Sequence, residues 1–540
     1  MDKVLIKGGR IVTAVDDYVG DVLLEGGKVE AIGRSLDVED AVVHDAAGLL
    51  VMPGGIDAHV HMETPMANGI ETCDSFETGT KSAAFGGTTT IVDFAQQFKG
   101  ESPKAALDRR LAAAEPQCSV DYGFHAILTD VTDAALSELP GMVNSDGVSS
   151  FKLYMAYPDV LMVDDAAIYR TMRKVGDHGG MVNLHAENGV VIQALVDEAL
   201  AAGNTSPKYH QLTRPQLMEG EATHRVIRIA ELAEVPVYIV HLSAKEALDA
   251  VVEARDRGIP AFAETCPHYL FLDKSEYDRP GFDSAKYVMT PPLRDRECQQ
   301  ALWRGLKFDD LQIVSTDHCP FCFNENAHGL LKSKQPGKDD FSKIPNGAPG
   351  VEFRLPLLFD GGVNDGRINI NRFVQLMATA PAKMFGLFPR KGTIAVGSDA
   401  DIVLFDPQAT HTLSANTHHS NVDYSLFEGR EVTGKVQKVF LRGEMIVDGD
   451  FGDAGSNAIK TYLRYISGSN QTGSEIAMAA PVGLDHVQEN WAVSYMMPAS
   501  YTLDSMPAPK EPFYMLFRMY QPDIEVLNGQ YELPGVRRVK

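Results

Sequence analysis

The chain has 540 residues, 44% of them hydrophobic and 23% charged, which is the composition of a globular protein long enough for one large domain with appendages. A formal net charge of −24 disfavours nucleic acid and anionic membrane surfaces as partners. No apolar run reaches the ~18 residues of a membrane span, and "MDKVLIKGGR" lacks the basic-then-apolar pattern of a signal peptide, so a soluble cytoplasmic protein is expected.

The first fifty residues alternate apolar and polar positions around glycine turns, in "KVLIKGGRIV" and "DVLLEGGKVEAIG", which predicts short antiparallel strands. The same texture returns in "GTIAVGSDADIVLF" and "VQKVFLRGEMIVDG". One small β-domain is expected, a sandwich assembled from residues 1–52 and 388–455. Between these halves, apolar runs alternate with helix-like stretches: "GGIDAHVH", "TTTIVDFA", "DYGFHAIL", "SSFKLYMA", "MVNLHAE", "VPVYIVHLS", "PAFAETCPHYL" and "QIVSTDHCP". Eight βα repeats over residues 53–387 predict a (β/α)₈ barrel, with a doubly wound sheet as the alternative. Residues 456–540 change character again and form an atypical C-terminal extension. The six cysteines are too few and too scattered for a disulfide framework. Two of them, Cys319 and Cys322, make a CxxC in "DHCPFCF", a weak zinc or redox signal without a second pair.

Chemistry-bearing residues collect at the ends of the eight runs. His59 and His61 stand two apart on a presumed strand, so their side chains share a face. His185 ends the fifth run, His241 the sixth and Asp317 the eighth. In a barrel the C-terminal ends of the strands form the active-site mouth, and imidazoles with a carboxylate suit zinc and its neighbours. Lys152, at the end of the fourth run in "FKLYMAYPDVL", places an amine in apolar surroundings at a cost. Beside two cations its ammonium would be repelled, whereas the neutral amine reacts with CO₂. The carbamate so formed is an anionic, bidentate ligand able to bridge two metals, which gives the buried lysine a purpose as N6-carboxylysine.

This constellation resembles the amidohydrolase superfamily with a binuclear metal centre. Within it, "FKLYMAY", "ETCPHYL", "PPLR", "STDHCPF" and "IPNGAPGVE" are similar to the dihydropyrimidinase/D-hydantoinase family, collinearly from residue 1 to about 455. The resemblance implies a barrel with a composite β-sandwich, and hydrolysis of a cyclic ureide to an N-carbamoyl amino acid. It implies that His59, His61 and Asp317 bind the more buried of two divalent ions, zinc by family habit, and that His185 and His241 bind the other. Carboxylated Lys152 would bridge them. Asp317 would act as general base and then acid, and Tyr157 would donate to the developing oxyanion. Thr290 in "MTPPLR" and Asn346 in "IPNGAPG" match positions whose backbone groups hold the substrate's ureide edge, although many relatives carry serine where this chain has Thr290. His318 should face the other way, behind the metal ligands.

Glu63 stands where dihydroorotase-type sequences place the arginine that clamps a substrate carboxylate, so a small neutral ring is favoured. Met62, Met66 and "YPDVLMV" offer adaptable apolar surface for a ring substituent. The alternatives are an allantoinase-type hydrolase, or a non-catalytic scaffold of the same fold; against the latter, all six ligand positions are filled. Family resemblance also implies a homotetramer. Beyond about residue 455, "YLRYISGSNQTGSEIAMAAPVG" and "WAVSYMMPASYTLDSMPAPKEP" resemble part of the SOUL haem-binding family. The closing "FYMLFRMYQPDIEVLNGQYELPGVRRVK" is similar to the end of an uncharacterised bacterial domain family. Neither match is a complete domain, so haem binding is not expected.

Overall fold

The computed structural model describes residues 3–66 and 69–449, together with the backbone of a short antiparallel pair, Glu525–Leu527 with Gln530–Glu532. Apart from that pair, the SOUL-like and bacterial-domain-like stretches lie outside the described residues.

Strands β1 (Val4–Val12), β2 (Asp17–Glu25) and β3 (Lys28–Gly33) form the expected antiparallel meander. β4 (Val42–Asp45) and β5 (Leu50–Pro53) instead join β1 in parallel. Alternating hydrophobicity marks which face is buried but not which way a strand runs, so the sequence could not show this. From the other end of the chain, β14 (Ile402–Thr412), β15 (Glu431–Leu441) and β16 (Glu444–Asp448) pair antiparallel in sequence, and β14 pairs antiparallel with β5. The two ends thereby make one eight-stranded mixed sheet, in the order β16-β15-β14-β5-β1-β2-β3 with β4 on β1. Ile6, Val22, Val29, Val51, Ile402 and Phe440 form part of its own core.

All eight apolar runs of the middle contain a strand: β6 (Gly55–Asp57), β7 (Thr88–Gln96), β8 (Asp121–Ile127), β9 (Ser150–Tyr154), β10 (Met181–His185), β11 (Val237–Ile239), β12 (Ala261–Thr265) and β13 (Ile313–Val314). Each pairs in parallel with the next. Their residues are buried on both faces, as a sheet covered by helices requires, which is why they read as apolar runs rather than alternations. The covering helices begin at side-chain caps that accept from the first turn: Ser75, Ser102, Thr132 and Asp164. Between β6 and β13 the circle closes through His61 N–H donating to His318 C=O at 2.8 Å. Beneath that seam the fully buried Arg354 donates to the carbonyls of Ile56 (2.8 Å) and Val314 (3.0 Å) and to Thr88 Oγ1 (3.0 Å). The fold is a (β/α)₈ barrel with a composite β-sandwich domain.

Lys391 binds barrel to sheet. Its Nζ lies 2.7 Å from Asp121 at the start of β8, and 3.1 and 2.5 Å from Asp399 and Asp401 just before β14. Among the described residues, no helix is long and apolar enough to cross a membrane.

Candidate active site

The six side chains singled out as metal ligands meet at the C-terminal mouth of the barrel. His185 is the last residue of β10, while His59, His61, His241 and Asp317 follow the ends of β6, β11 and β13. Lys152 sits in the middle of β9 rather than at its end, two residues deeper than the sequence suggests. His59 Nε2 is 3.1 Å from Asp317 Oδ1 and 2.9 Å from Lys152 Nζ, and His61 Nε2 is 3.2 Å from the same carboxylate oxygen. His185 Nδ1 lies 3.0 Å from His241 Nε2. One donor atom each from His59, His241 and Asp317 falls within 4.8 Å of the others.

The backbone is strained to achieve this. His241, Asp317, Tyr157 and Glu63 have φ of 39°, 49°, 62° and 45°. Such left-handed conformations cost an L-residue about 1–3 kcal/mol and persist only where the surroundings enforce them.

Glu264, at the end of β12, supplies much of that enforcement. Its carboxylate accepts from His59 Nδ1, from Tyr238 Oη (2.8 Å), from Ser315 Oγ (2.7 Å) and from the His241 amide (3.2 Å). Holding Nδ1–H fixes the His59 tautomer and leaves the Nε2 lone pair facing Asp317 and Lys152. Glu187 bonds His185 Nε2 in the same manner at 2.9 Å, which turns His185 Nδ1 toward His241. Neither glutamate was marked by the sequence reading. The signal was present in "AFAET", a charged residue in an apolar strand run, the argument that found Lys152.

Donor chemistry and unmet hydrogen bonds both fit divalent cations. His61 Nδ1 and His241 Nδ1 are buried without a partner among the described residues, an expense that packing alone does not explain. Imidazole nitrogens with a carboxylate are what such ions accept. Burial brings the Lys152 amine down to about 8, with Asp317 and Glu264 only partly opposing it. Burial likewise takes His61 to about 4. For Asp317, burial would raise the pKa, but His59, His61 and His241 hold it well below the usual carboxylate range.

Asp121, Asp399 and Asp401 also bring three carboxylates together. Lys391 reaches all three, Arg442 pairs with Asp121, and Lys28 and Arg390 pair with Asp399, so that group is a neutralised structural network.

Beside this cluster, side chains from three segments converge. Tyr157 Oη is 3.5 Å from Asn346 Nδ2, Thr290 lies next to the same hydroxyl, and the Tyr157 ring is 5.5 Å from that of His185. Burial raises the Tyr157 pKa, against Arg214, Thr290 and Asn346, so the phenol keeps its proton at neutral pH. His318 faces away: Nε2 meets Asp74 Oδ2 at 2.9 Å, while Nδ1 accepts from the Gly350 and Val351 amides at 3.1 and 3.4 Å. The Glu63 carboxylate accepts from Gln117 Nε2 at 3.1 Å.

One expectation needs correction. Met62 is fully buried, and its Sδ packs so tightly on Gly79 that a Cβ there would lie 2.1 Å from it. It therefore belongs to the core between the loop and helix Phe76–Phe85 rather than to a substituent pocket. Leu161 of "YPDVLMV" does pack on the cluster of Phe94, Ile127 and Tyr154, as Tyr157 does. The CxxC stays the weak signal it was: no candidate ligand group among the described residues contains Cys319 or Cys322, and Cys322 lies beside Cys73.

Comparison with known proteins agrees with this geometry. A model described as "Amidohydrolase family" matches residues 50–446, and one described as "SOUL heme-binding protein" matches residues 437–521. The first ten or so residues of the latter match are strands of the mixed sheet. The chain is 50% identical over 452 residues to a D-hydantoinase of Streptomyces coelicolor, covering 82% of this chain and 94% of that protein. It is 48% identical over 443 residues to a D-hydantoinase of Geobacillus stearothermophilus, covering 82% and 92%. The crystal structure of a dihydropyrimidinase from Brevibacillus agri superposes with a TM-score of 0.83 at 46% identity, covering 87% of this chain and all of that one (100%). The chain belongs to the amidohydrolase family, in its D-hydantoinase and dihydropyrimidinase branch.

Proposed function

We propose that this enzyme hydrolyses the cyclic amide bond of a neutral five- or six-membered ureide, a hydantoin or dihydropyrimidine, to an N-carbamoyl amino acid. The observation that carries the reading is the convergence of Lys152, His59 and Asp317 with Tyr157 and Asn346 at one barrel mouth. Catalysis belongs to the barrel, taken as residues 53–387, while residues 1–52 and 388–455 form the sandwich that supports it and residues 456–540 an appendage. A cytoplasmic homotetramer is the assembly consistent with the family.

In this reading His59, His61 and Asp317 would hold one divalent ion, zinc by donor chemistry, and His185 and His241 would hold a second. Lys152 would serve both once its neutral amine adds CO₂ and loses a proton to leave an N-carboxylate; burial keeps that amine available near neutral pH. Bound ions supply Lewis acidity, polarising a carbonyl and bringing the pKa of a water toward neutrality. Asp317, ionised in its own right, takes the proton of the attacking water at a carboxylate oxygen. It then delivers that proton to the ring nitrogen as the C–N bond breaks. Tyr157 donates its phenolic proton in a hydrogen bond to the carbonyl oxygen as negative charge develops there. Backbone groups of Thr290 and Asn346 fix the ring's ureide edge. Glu63, turned to Gln117, offers no cation for a substrate carboxylate, which favours a neutral ring.

The test is a panel of dihydrouracil, hydantoin, 5-phenylhydantoin, allantoin and dihydroorotate, with metal analysis of the same sample. Hydantoin and dihydrouracil should turn over and dihydroorotate poorly. Faster turnover of dihydroorotate or allantoin than of both would overturn the assignment.

A further inference from the structure

Lys334 has no part in the chemistry above, yet it is fully buried, and among the described residues no carboxylate pairs with it. Its Nζ donates to three backbone carbonyls, those of Val288, Pro345 and Gly347, each at 2.7 Å. Burial draws its pKa down to about 7, but three acceptors at this distance call for three N–H donors, which only the ammonium supplies. Burying an ammonium against neutral carbonyls is costly, and the place where it happens is specific.

Pro345 and Gly347 flank Asn346, and Val288 lies two residues before Thr290. The Gly347 amide also donates to the Val288 carbonyl, at 3.1 Å. Around Thr290 every neighbouring carbonyl is taken: Tyr287 by Tyr277 Oη (3.0 Å), Met289 by His210 Nε2 (2.8 Å) and Pro291 by Tyr269 Oη (2.7 Å). No described residue donates to the Thr290 carbonyl, and none accepts from the Asn346 amide. The neighbours are thus tied down, while the Thr290 carbonyl and the Asn346 amide keep no hydrogen-bond partner among the described residues. Gly347, at φ 149°, presses this arrangement onto the Asp317 segment, since a Cβ there would stand 2.2 Å from the Cys319 carbonyl.

We infer that Lys334 is a positioning residue for substrate recognition: its ammonium clamps the Thr290 and Asn346 segments together and sets the spacing of the backbone groups that receive the ureide edge. This rests on the hydantoinase reading proposed above. The lysine acts on ring binding and leaves the metal ligands alone.

The experiment uses full-length K334Q and K334R, with bound metal, melting temperature, and kcat and KM for hydantoin and dihydrouracil. K334Q keeps fewer donors and no charge, and should retain wild-type metal content while KM rises about tenfold or more and kcat changes by less. K334R keeps the charge and several donors and should fall between K334Q and wild type. As a control for stability alone, Leu404→Ala in the sheet core should lower the melting temperature without moving KM. An unchanged KM in both variants, or a KM rise that only follows metal loss, overturns the clamp. Should K334Q fail to fold, K334R decides by the same criteria: a raised KM at full metal content supports the clamp, and a wild-type KM with a lowered melting temperature refutes it. Wild-type enzyme inactive on both rings would instead refute the functional reading, a result separate from any difference between variants.

Discussion

Lys391, at the seam between barrel and sheet, and Lys152, at the barrel mouth, are both almost wholly buried, yet their surroundings drive them in opposite directions. Burial lowers the pKa of each. At the seam Asp121, Asp401 and Asp399 outweigh it and push Lys391 up. At the mouth the nearest partners of Lys152 are an imidazole nitrogen at 2.9 Å and the Phe94 ring at 4.3 Å, and burial wins, leaving an amine at about 8. Of these two lysines, the one that carboxylates surround is a fixed cation, and the one with few near it is a reactive amine. The seam spends its charges on joining two domains, whereas the mouth withholds them for chemistry.

The sharpest way to break that contrast is to remove each lysine. Lys152→Ala should lose most bound metal and lower activity by several orders of magnitude, because the proposed bridging anion disappears; short carboxylic acids added in trans should restore part of it. Metal analysis with hydantoin assays checks this, and a variant with full metal and full rate would refute the carbamate role. Tyr157→Phe, at the same mouth, should keep its metal and lose roughly 10²–10³ in kcat, the scale of one oxyanion donor. A loss of stability with unchanged kcat would make Tyr157 a packing residue.

Lys391→Met should do the reverse. Breaking a buried ion network by removing one member costs about 3–5 kcal/mol, so thermal melts should fall clearly while kcat per bound metal stays within a few-fold. The pH dependence follows from the signs. Lys391 is raised, so its contribution is complete below the unfolded lysine value of about 10.4 and is lost as pH rises through its folded value. Asp399 is lowered: burial opposes, but Lys391, Arg390 and Lys28 prevail. Its contribution is present above about pH 3.9 and lost on acidification. Asp401 is raised by burial and works against the network. Wild-type melts recorded from pH 3 to 11 should weaken at both ends, and Lys391→Met should lose the lysine's share of the alkaline fall.

Much of this was legible in the sequence because burial on both faces turns barrel strands into unbroken apolar runs, and all eight runs contained one. The same contrast exposed Lys152, the odd residue in such a run. Glu264 obeyed the same rule but escaped notice because it lies inside the long run "PAFAETCPHYL" rather than at its end. Lys334 could not have been found: it lies in a loop, "LLKSKQPGK", where lysine is ordinary, and only the folded chain brings Val288, Pro345 and Gly347 around it. The parallel pairing of β4 and β5 with β1 was hidden likewise, since direction leaves no trace in alternation. Met62 misled because a methionine beside two histidines reads as pocket wall, whereas close packing on Gly79 turns it inward.

The smallest expected effect concerns residues 454–540. Each proposed ligand, Tyr157, Thr290, Asn346 and the Lys391 network precede β16, and β16 completes its pairing with β15 by Asp448, opposite Lys438. A chain ending at Asp453 therefore keeps the mouth, the seam and every strand of both. Its kcat per bound metal should lie within a few-fold of the full chain, and its melting temperature should move far less than in Lys391→Met. Tyr495, Met496, Phe513, Phe517 and Tyr520 give the removed segment apolar side chains that need a surface to cover or remain an aggregation hazard. Size-exclusion chromatography of both forms separates the outcomes. A changed oligomer with unchanged kcat assigns the segment to assembly. Loss of metal on truncation would place it inside the catalytic fold, and the seam could then no longer be treated as complete at β16.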